Sequence, residues 1–544
     1  MKKTRKYVLL LTVFILLIGL LSACQPKPPK NWWQDVVFYE IFVRSFKDSN
    51  GDGIGDFNGI IEMLDYLNDG DPNTTDDLGI GGIWLMPINP SPSYHGYDVS
   101  DYKAVNPDYG TLEDFRNLIK ECHKRGIRVV MDFVINHTSS DHPWFESSKD
   151  PDSEYRDWYV WLEKRPNNTA GPWGSNAWYQ KDGAWHKEGK AWYYAPFWSE
   201  MPDLNYHTPE VTEAIYDATK FWLDLGVDGF RVDAARYLFE EGYILQDSPK
   251  TIKWFQDWRN YYLKRNSRTY TVGEVWADTG LIKRYNQPTK GMEQFFMFDL
   301  ATDLVGSVYS PSAWRATKAY TKALDAFPDG DFASFLTNHD QNRLASVLEE
   351  DLTKQKLAAF LLLTGPGTPY IYYGEEIGMT GTKPDEDIRK PMQWSDKSYG
   401  GFSRTIPWRR LNDGWTVNNV EAQDKDPNSL LNWYRKLINL RNSQSAMRQG
   451  AYFPISSDCR SLYVALRVEE NQQLLTIANL KDEAIMGCSL SLEESPLSGV
   501  YLTESLMGDS IFENISFGEN GQLNEWKIGS EIGAAEVFVI NLKK

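Results

Sequence analysis

Carboxyl side chains that are able to do acid–base chemistry stand where short apolar runs of the sequence end. Asp233 follows Gly-Phe-Arg-Val, Glu274 follows Thr-Val-Gly, and Asp340 follows Thr-Asn-His. Two carboxyl groups can cleave a glycosidic bond when one is ionised and the other is protonated, because the transition state resembles an oxocarbenium ion. A single acid at such a position is usually a cap or a surface charge, so it is their recurrence that indicates a shared site.

Basic and imidazole side chains accompany these acids. Arg231 lies two residues before Asp233, so both side chains point to the same side of an extended strand. We expect the guanidinium to keep Asp233 ionised, as a nucleophile requires. His137 and His339 also follow apolar runs. Either histidine alone would be a structural, hydrogen-bonded group, but together with the acids they predict a polar cleft.

Eight short β-rich runs, most of them continuously apolar, alternate with segments of helical pattern. Such runs are typical of strands that are buried on both faces, and eight β/α alternations predict an α/β fold, a (β/α)8 barrel. A doubly wound open sheet is the alternative, but no glycine-rich dinucleotide loop follows the first run. The predicted strands cover residues 36–43, 79–88, 127–136, 227–235, 270–276, 295–300, 332–338 and 369–374, with helices at 111–125, 209–225 and 353–364.

A barrel of this type carries its working residues at the carboxyl ends of its strands. Asp233 and Glu274 end the fourth and fifth predicted strands, and neighbouring strands lie about 4.8 Å apart. A retaining glycosidase holds its two carboxyl groups about 5–5.5 Å apart, so that one of them attacks the sugar directly. The strand order therefore predicts retention of configuration.

The remaining sequence predicts an insert and a second domain. Residues 32–136 and 207–446 form the predicted barrel, residues 137–206 an inserted subdomain after its third strand, and residues 447–544 a C-terminal antiparallel β-sandwich. The insert contains eight of the 21 tryptophans, and a structureless loop of that length is uncommon. We expect half or more of these tryptophans to form the core of the insert and the others to stack on substrate.

The beginning of the chain predicts export. Four basic residues precede an apolar run at 7–21, which is short for a membrane span and typical of a signal peptide. The run ends in Leu-Ser-Ala-Cys, which resembles a bacterial lipobox with Cys24 as the lipidated first residue of the mature chain. An uncleaved anchor is the alternative. We interpret residues 1–23 as a signal peptide and 24–31 as a linker, and expect a cell-membrane lipoprotein facing the extracellular or periplasmic side.

Charge and cysteine content restrict the partners. The net charge of −18 repels phosphate and argues against a nucleic-acid partner. The 42% of hydrophobic and 24% of charged residues are ordinary for folded domains and exclude disorder for most of the chain.

No cysteine spacing indicates zinc. Cys459 and Cys488 could pair, which the sequence leaves open. We expect a monomer.

The motifs, in their order and spacing, resemble glycoside hydrolase family 13, the α-amylase family, over the whole mature chain, and in particular its bacterial lipoprotein members. The matching segments are DFVINH at 132–137, MPDLN at 201–205, GFRVDAAR at 229–236, GEVW at 273–276, FLTNHD at 335–340 and GTPYIYYGEEIGM at 367–379. The resemblance implies that Asp233 is the nucleophile, Glu274 the general acid/base, and Asp340 the third carboxylate, which positions and stabilises the distorted sugar.

The same resemblance implies which residues contact the sugar that is cleaved. His137, Arg231 and His339 correspond to residues that contact this sugar, and Tyr97 corresponds to a stacking platform. Asp98 is similar to a family residue near that site. The implied substrate is an α-glucan, that is, starch or maltodextrins.

A loop rich in aspartate and glycine predicts a calcium site. The oxygen donors occupy alternate positions of the loop and come from Asp48, Asn50, Asp52, the carbonyl of Ile54, and Asp56. Gly53 occupies position 6, where an EF-hand loop turns sharply, but position 12 is Gly59 instead of the bidentate glutamate. A turn without an ion is the alternative, and the family resemblance supports structural Ca²⁺. A second calcium site is left open: Asn136 is present, but Tyr237 follows Arg236 where many family members have Lys-His.

Three features favour an endo-acting α-amylase within this family. Ala234 follows Asp233, where α-1,6-specific members usually have valine, and Tyr94 stands where exo-acting members often have an aspartate. MPDLN resembles the group between oligo-1,6-glucosidases and neopullulanases. The alternatives are an exo-acting α-glucosidase, a cyclomaltodextrinase or a transglycosylase of the same family. A non-catalytic surface glycan-binding protein is a further alternative, but such proteins usually lack one of the three acids.

Overall fold

The computed structural model describes residues 31–174, 183–509, 512–529 and 531–544. The predicted signal peptide and Cys24 lie outside the described residues, as does Trp178 of the insert. Within the described residues we find no helix with the length and apolarity that a membrane span requires.

The strands, in chain order, are β1 Phe38–Ile41, β2 Gly82–Leu85, β3 Arg128–Phe133, β4 Trp161–Leu162, β5 Trp185–Glu188, β6 Ala191–Tyr194, β7 Gly229–Val232, β8 Tyr270–Gly273, β9 Gln294–Phe295, β10 Ala333–Ser334, β11 Thr368–Tyr372, β12 Ala451–Pro454, β13 Ser456–Ser457, β14 Leu462–Glu469, β15 Gln472–Asn479, β16 Ser489–Leu492, β17 Gly499–Met507, β18 Ile515–Phe517, β19 Leu523–Lys527 and β20 Val537–Lys543.

The α-helices, in chain order, are α1 Val43–Phe46, α2 Phe57–Glu62, α3 Leu64–Leu67, α4 Leu112–Lys124, α5 Pro143–Ser148, α6 Pro209–Leu225, α7 Pro249–Arg265, α8 Thr279–Arg284, α9 Phe298–Tyr309, α10 Ala313–Ala326, α11 Leu344–Val347, α12 Leu352–Thr364, α13 Asp385–Ile388, α14 Val420–Asp424, α15 Leu430–Ser443 and α16 Ser445–Gln449. Short 3₁₀ helices cover Trp32–Asp35, Pro107–Tyr109, Arg156–Trp158, Glu375–Ile377 and Ser398–Gly401.

Eight parallel strands form the predicted barrel, in the order β10-β11-β1-β2-β3-β7-β8-β9. Phe296, next to β9, bridges Ala333 of β10 in parallel and brings the two edges together. Each predicted β-rich run contains one barrel strand or overlaps it. The run at 295–300 differs most, because β9 ends at Phe295 and α9 begins at Phe298. An apolar run of this length does not distinguish a strand from the start of a buried helix.

Alternation along the strands fills the barrel interior. Phe38 and Glu40 of β1 point to the same side, whereas Tyr39 between them packs into the outer core with the helices. The Phe38 ring stacks on Tyr370 of β11 at 4.5 Å, and Trp84 of β2 also belongs to this inner cluster. Aromatic side chains therefore close the interior below the polar groups at the carboxyl ends of the strands.

The insert after β3 is a small subdomain with its own antiparallel sheet, in the order β4-β6-β5. Bridges from His137 to Asp203 and from Tyr159 to Leu204 connect the two ends of the insert. Of its seven described tryptophans, six are half-buried and Trp198 is 47% exposed. The expectation that half or more would be structural is met only in part: none of the seven is fully buried, but Trp144, Trp158 and Trp161 pack against the main apolar cluster. Trp144 and Trp158 also contact each other, with 4.7 Å between ring centroids.

The C-terminal region has a six-stranded antiparallel sheet in the order β12-β14-β15-β20-β17-β18, and a three-stranded sheet in the order β13-β16-β19. Both sheets contribute to one apolar cluster, which includes Leu466, Leu490 and Phe538. The predicted β-sandwich is therefore present. The pairing that the sequence left open is a disulfide between Cys459 and Cys488, whose Cα atoms lie 5.6 Å apart.

Candidate active site

Polar side chains converge at the carboxyl ends of β3, β7 and β8 and in the segment after β10. β7 and β8 are parallel neighbours, and Val232 pairs with Gly273. The next residue of each strand is an acid, so the register places Asp233 and Glu274 side by side. Asp233 is 9% exposed, and the side chain of Glu274 is 14% exposed. The two carboxyl groups thus lie in a largely buried cleft at the top of the barrel.

The buried Arg231 guanidinium joins the acids of this cleft. Its Nη1 donates to Asp233 Oδ1 at 2.6 Å and to Asp132 Oδ1 at 2.9 Å, and its Nη2 lies 3.0 Å from Glu274 Oε2. The guanidinium also lies over the Trp84 ring, 5.1 Å from its centroid. One cation thus holds three carboxyl groups, a geometry that suits the planar fork of arginine.

Burial and charge set different pKa values on the two acids. Burial raises the pKa of Asp233 to about 6, although the Arg231 charge opposes this shift. Burial raises the pKa of Glu274 to about 7, again against Arg231, and the Asp233 charge adds to the rise. The expectation that Arg231 alone keeps Asp233 ionised was incomplete, because the desolvation of the carboxyl group exceeds the effect of the guanidinium.

Ala234 connects the two acids through the backbone. Its N–H donates to Glu274 Oε2 at 3.0 Å, and its φ of 47° lies in the left-handed region. A β-branched residue is disfavoured at such a φ, whereas alanine tolerates it better. This turn thus holds Oε2 of Glu274 by a hydrogen bond in which Oε1 takes no part.

Asp340 is held ionised by two cations. His339 Nε2 lies 3.1 Å from Asp340 Oδ2, and Arg389 Nη2 donates to Oδ1 at 2.9 Å. Burial alone would raise the pKa of Asp340, but the charges of His339 and Arg389 hold it well below its usual range. The third carboxylate therefore differs from the first two and cannot serve as an acid near neutral pH.

The structure brings Tyr97 and His137 to the same cleft. Tyr97 lies parallel to the His339 ring at 5.6 Å, and its hydroxyl group is 2.6 Å from His339 Nε2. His137 is buried beside Phe197 of the insert, with 5.3 Å between ring centroids. Burial lowers the pKa of His137 to about 3, and its Nε2 has no hydrogen-bond partner among the described residues. A buried nitrogen of this kind is expected to bind a ligand or water.

Asp98 is not joined to the catalytic group. Its Oδ1 accepts hydrogen bonds from the hydroxyl groups of Ser91 and Ser93, and its side chain lies 3.8 Å from His95. These contacts fix the loop that carries Tyr97. One oxygen of Asp98 thus holds the loop that carries Tyr97, whereas its buried Oδ2 has no hydrogen-bond partner among the described residues and stays available to a ligand.

Three residues of the cleft were not proposed from the sequence as site residues. Asp132 is fully buried on Arg231, Glu40 accepts from His339 Nδ1, and Arg389 binds Asp340. A signal was present for Glu40, because it is a single acid within the apolar run Val-Val-Phe-Tyr-Glu-Ile-Phe-Val. Arg389 gave no such signal, since it lies in a loop far along the chain from Asp340.

Residues 40–450 match the model of a known protein family, which is described as "Alpha amylase, catalytic domain". The chain belongs to the α-amylase family. The matched segment contains the barrel from Glu40 of β1 onward, the insert and every residue of the cleft described above. The enzyme therefore acts on glycosidic bonds, as the family resemblance implies.

Relatives of more than one specificity resemble this α-amylase-family enzyme. Alpha-amylase 3 of Dictyoglomus thermophilum is 40% identical over 455 residues, which cover 82% of this chain and 85% of that protein. The oligo-1,6-glucosidase of Parageobacillus thermoglucosidasius is 34% identical over 527 residues, which cover 83% and 91%. The crystal structure of alpha-amylase from H. orenii is 39% identical with a TM-score of 0.80, and the match covers 93% of this chain and 99% of that one. The similarity thus shows the family but does not decide the linkage.

The aspartate-rich loop of this α-amylase-family enzyme is a compact turn. Asp48 accepts from the N–H groups of Gly51 and Gly53 at 2.6 and 2.8 Å, and the Ser403 hydroxyl group donates to it at 2.6 Å. Gly53 has a φ of 93°, and a Cβ there would lie 2.4 Å from the Ile406 carbonyl oxygen. All side-chain donors are oxygens, which is the ligand type that Ca²⁺ prefers. The chemistry of the donor set is compatible with Ca²⁺, and a calcium ion at this loop stays a prediction.

A second group of oxygens lies where the sequence left a calcium site open. In the part of the chain that the structure describes, both carboxylate oxygens of Asp203, Oδ1 of Asn136 and Oε1 of Glu240 are buried without a hydrogen bond. Burial and the Glu240 charge raise the pKa of Asp203 well above its ordinary value. Two acids in such surroundings are costly unless a cation or protons compensate them.

Proposed function

We propose that this enzyme is a retaining, endo-acting hydrolase of α-1,4-glucosidic bonds in starch and maltodextrins. The observation that carries the proposal is the pair Asp233 and Glu274, which share Arg231 but differ in pKa, at about 6 and about 7. Near pH 6.5 the pair holds about one proton, because coupled groups titrate as a unit. An ionised nucleophile and a protonated acid are the two forms that glycoside cleavage requires.

The reaction then proceeds in two displacements. Asp233 attacks the anomeric carbon while Glu274 gives its proton to the glycosidic oxygen, so the bond to the leaving chain breaks and a glycosyl ester forms. Glu274, now ionised, takes a proton from water, and the resulting hydroxide attacks the same carbon and releases Asp233. Two inversions at one carbon give net retention of configuration.

The other cleft residues would bind and orient the sugar. Asp340 stays ionised and would accept hydrogen bonds from sugar hydroxyl groups, which is worth more in a dry site than in water. His137 presents a nitrogen without a partner, and Tyr97 presents an aromatic ring of the kind that stacks on the apolar face of a sugar. The exposed Trp198 of the insert would extend this contact to further glucose units.

Endo action is supported by an aromatic pair beside the cleft. Tyr94, at the position where an aspartate would grip a terminal sugar, is stacked on Trp408 at 5.3 Å and 24°. A glucan chain can extend across a flat aromatic surface, because such a surface forms no hydrogen bond that is specific for the end of the glucan. The proposal therefore assigns internal bonds as the substrate.

Product analysis on maltoheptaose labelled at its reducing end tests the endo proposal. We expect early products of several lengths, mainly maltose to maltotetraose, with the α-anomer formed first in NMR spectra. Release of glucose alone from one end would contradict endo action, and initial formation of the β-anomer would contradict retention.

A second candidate is hydrolysis of α-1,6 bonds, since the similar relatives include a protein named oligo-1,6-glucosidase. Ala234 instead of valine next to the nucleophile favours the α-1,4 bond in our proposal. Turnover of isomaltose or panose faster than that of maltotriose would establish the second candidate instead.

We also propose that Ca²⁺ is a structural cofactor. Asp48, Asn50, Asp52, the Ile54 carbonyl group and Asp56 would hold one ion, and Asn136 with Asp203 would contribute to another. The ion would neutralise acids that the fold holds close together and would fix the loops that flank the cleft.

Removal of calcium is expected to lower the melting temperature by about 5 °C, because an ion that binds only the folded state stabilises it by about 2.7 kcal/mol at 100 times its dissociation constant. The measurement is calorimetry with and without EDTA, with metal content verified. Asp52→Asn should show a smaller EDTA effect, whereas Asp71→Asn, another exposed loop aspartate, should behave like the wild type. An unchanged melting temperature after verified metal removal would contradict the proposal.

We further propose that the enzyme is exported and anchored to the membrane through a lipid on Cys24, and that it is a monomer. The support is the basic and apolar leader and the lipobox-like segment of the sequence. Metabolic labelling with a radioactive fatty acid should mark the wild type and not Cys24→Ala, and sedimentation of the soluble enzyme should give a mass near 60 kDa.

A further inference from the structure

Glu40 of β1 is an acid inside the barrel with a single imidazole partner. Its side chain is 2% exposed, and its Oε1 lies 2.5 Å from His339 Nδ1. In the β1 register it pairs with Trp84 of β2 and Tyr372 of β11, so it sits on the inner side of the ring below the cleft. A buried carboxyl group without an arginine or lysine partner is unusual unless another group compensates its charge.

His339 connects Glu40 to the cleft. Its opposite nitrogen, Nε2, lies 3.1 Å from Asp340 Oδ2 and 2.6 Å from the Tyr97 hydroxyl group. An imidazole can donate from both nitrogens only when it is protonated. A carboxyl oxygen faces each nitrogen of His339, from Glu40 at Nδ1 and from Asp340 at Nε2. The doubly protonated imidazole can therefore donate to both carboxyl groups at once.

We propose that Glu40 is a positioning residue that keeps His339 doubly protonated against Asp340 and so keeps Asp340 ionised and oriented for the sugar. This inference rests on the proposed role of Asp340 in binding the reacting sugar. Glu40 itself is separated from that sugar by His339, and it acts through the imidazole.

The charges around His339 support this inference. Burial lowers the pKa of His339, but Asp340 and Glu40 outweigh burial and raise it to about 9. Arg389 donates to the His339 carbonyl oxygen at 3.0 Å and to Asp340, so it opposes protonation of the imidazole. The other ionisable groups that face His339 or Glu40 are Tyr97, Asp132 and Arg231 on the cleft side, and Tyr370, Tyr372 and Glu375 on the β11 side.

The variant Glu40→Gln separates charge from shape. Glutamine can still accept from Nδ1, but it carries no charge to stabilise the imidazolium. NMR spectra of enzyme with ¹⁵N-labelled histidine report protonation directly, and His339→Gln assigns the signal among the seven histidines. We expect His339 to be protonated in the wild type at pH 7.5 and neutral in Glu40→Gln. We also expect kcat/KM on maltoheptaose to fall about tenfold, mainly through kcat.

Two further variants make the result specific. Glu376→Gln is a matched control, since Glu376 is equally buried but accepts from Tyr39 and Tyr66 instead of a histidine; we expect no change in the His339 signal. Glu40→Asp retains the charge and should restore protonation, at least in part. In an Asp340→Asn background, Glu40→Gln should cost less than twofold, because both changes act on one interaction.

The inference is overturned if His339 stays protonated at pH 7.5 in Glu40→Gln, or if kcat/KM changes no more than in Glu376→Gln. The NMR result does not require turnover. It therefore remains informative even if Asp233→Asn shows that the proposed mechanism is wrong.

Discussion

Replacement of Asp233 by asparagine is expected to lower kcat on maltoheptaose by about 10⁴-fold or more, with a small change in KM. An amide of the same shape cannot form the glycosyl ester, so the first displacement loses its nucleophile. In the proposed mechanism the remaining cleft would still bind the sugar through Asp340, His137 and Tyr97. Steady-state kinetics and circular dichroism on the purified variant would measure the effect and verify the fold.

Asp228→Asn is the matched control for this prediction. Asp228 immediately precedes β7, at the opposite end of the same strand, and binds His123 and the Val129 N–H group. The barrel carries stability at that end and chemistry at the other. We therefore expect kcat within about twofold of the wild type and only a lower melting temperature. Similar activity in Asp233→Asn and Asp228→Asn would refute the assignment of the nucleophile.

Replacement of Glu274 by glutamine is expected to lower kcat on maltoheptaose by about 10³-fold, because the leaving oxygen no longer receives a proton. An α-maltosyl fluoride substrate needs no such proton, since fluoride leaves unaided. With this substrate the variant should form the glycosyl ester on Asp233 rapidly and hydrolyse it slowly, so that intact-mass spectrometry detects the ester. Azide should accelerate turnover, because it attacks without a general base. Absence of both the ester and azide rescue would count against the assignment of Glu274.

The pH profile follows from the same pair of acids. For the wild type, kcat/KM should fall below about pH 6 as Asp233 becomes protonated, and above about pH 7 as Glu274 loses its proton. In Glu274→Gln acting on the fluoride, the alkaline fall should disappear while the acid fall remains. A persistent alkaline fall in that variant would show that a different group titrates.

The barrel was predictable because its strands are recognisable in the sequence as short apolar runs. Continuous apolar runs such as the one at residues 79–88 form strands that are buried on both faces, and parallel pairing then puts the carboxyl ends of the strands on one rim. The placement of Asp233 and Glu274 at the ends of neighbouring strands followed from that order alone. The end of β9 was harder to predict, since Phe295 and Phe298 are equally apolar although one is in a strand and the other in a helix.

The electrostatic properties of the cleft depend on burial and on contacts that the fold creates, in addition to the residue types. Arg231 was placed beside Asp233 by strand alternation, but the rise in the pKa of Asp233 comes from burial, which a sequence motif does not encode. Arg389 and Glu40 reach His339 and Asp340 from loops and strands that are distant along the chain. The partial burial of the insert's tryptophans likewise depends on tertiary packing, which their positions in the sequence do not reveal.

The burial of Cys122 in the barrel affects which disulfides the chain can form. It lies on α4 in the barrel core, is the free cysteine of the described residues, and burial raises the pKa of its thiol. Thiol–disulfide exchange requires an accessible thiolate. Three pairings are conceivable among Cys122, Cys459 and Cys488, but after the barrel has packed only the pairing of Cys459 with Cys488 remains chemically open. A barrel that forms before oxidation would thereby protect the chain from scrambled disulfides.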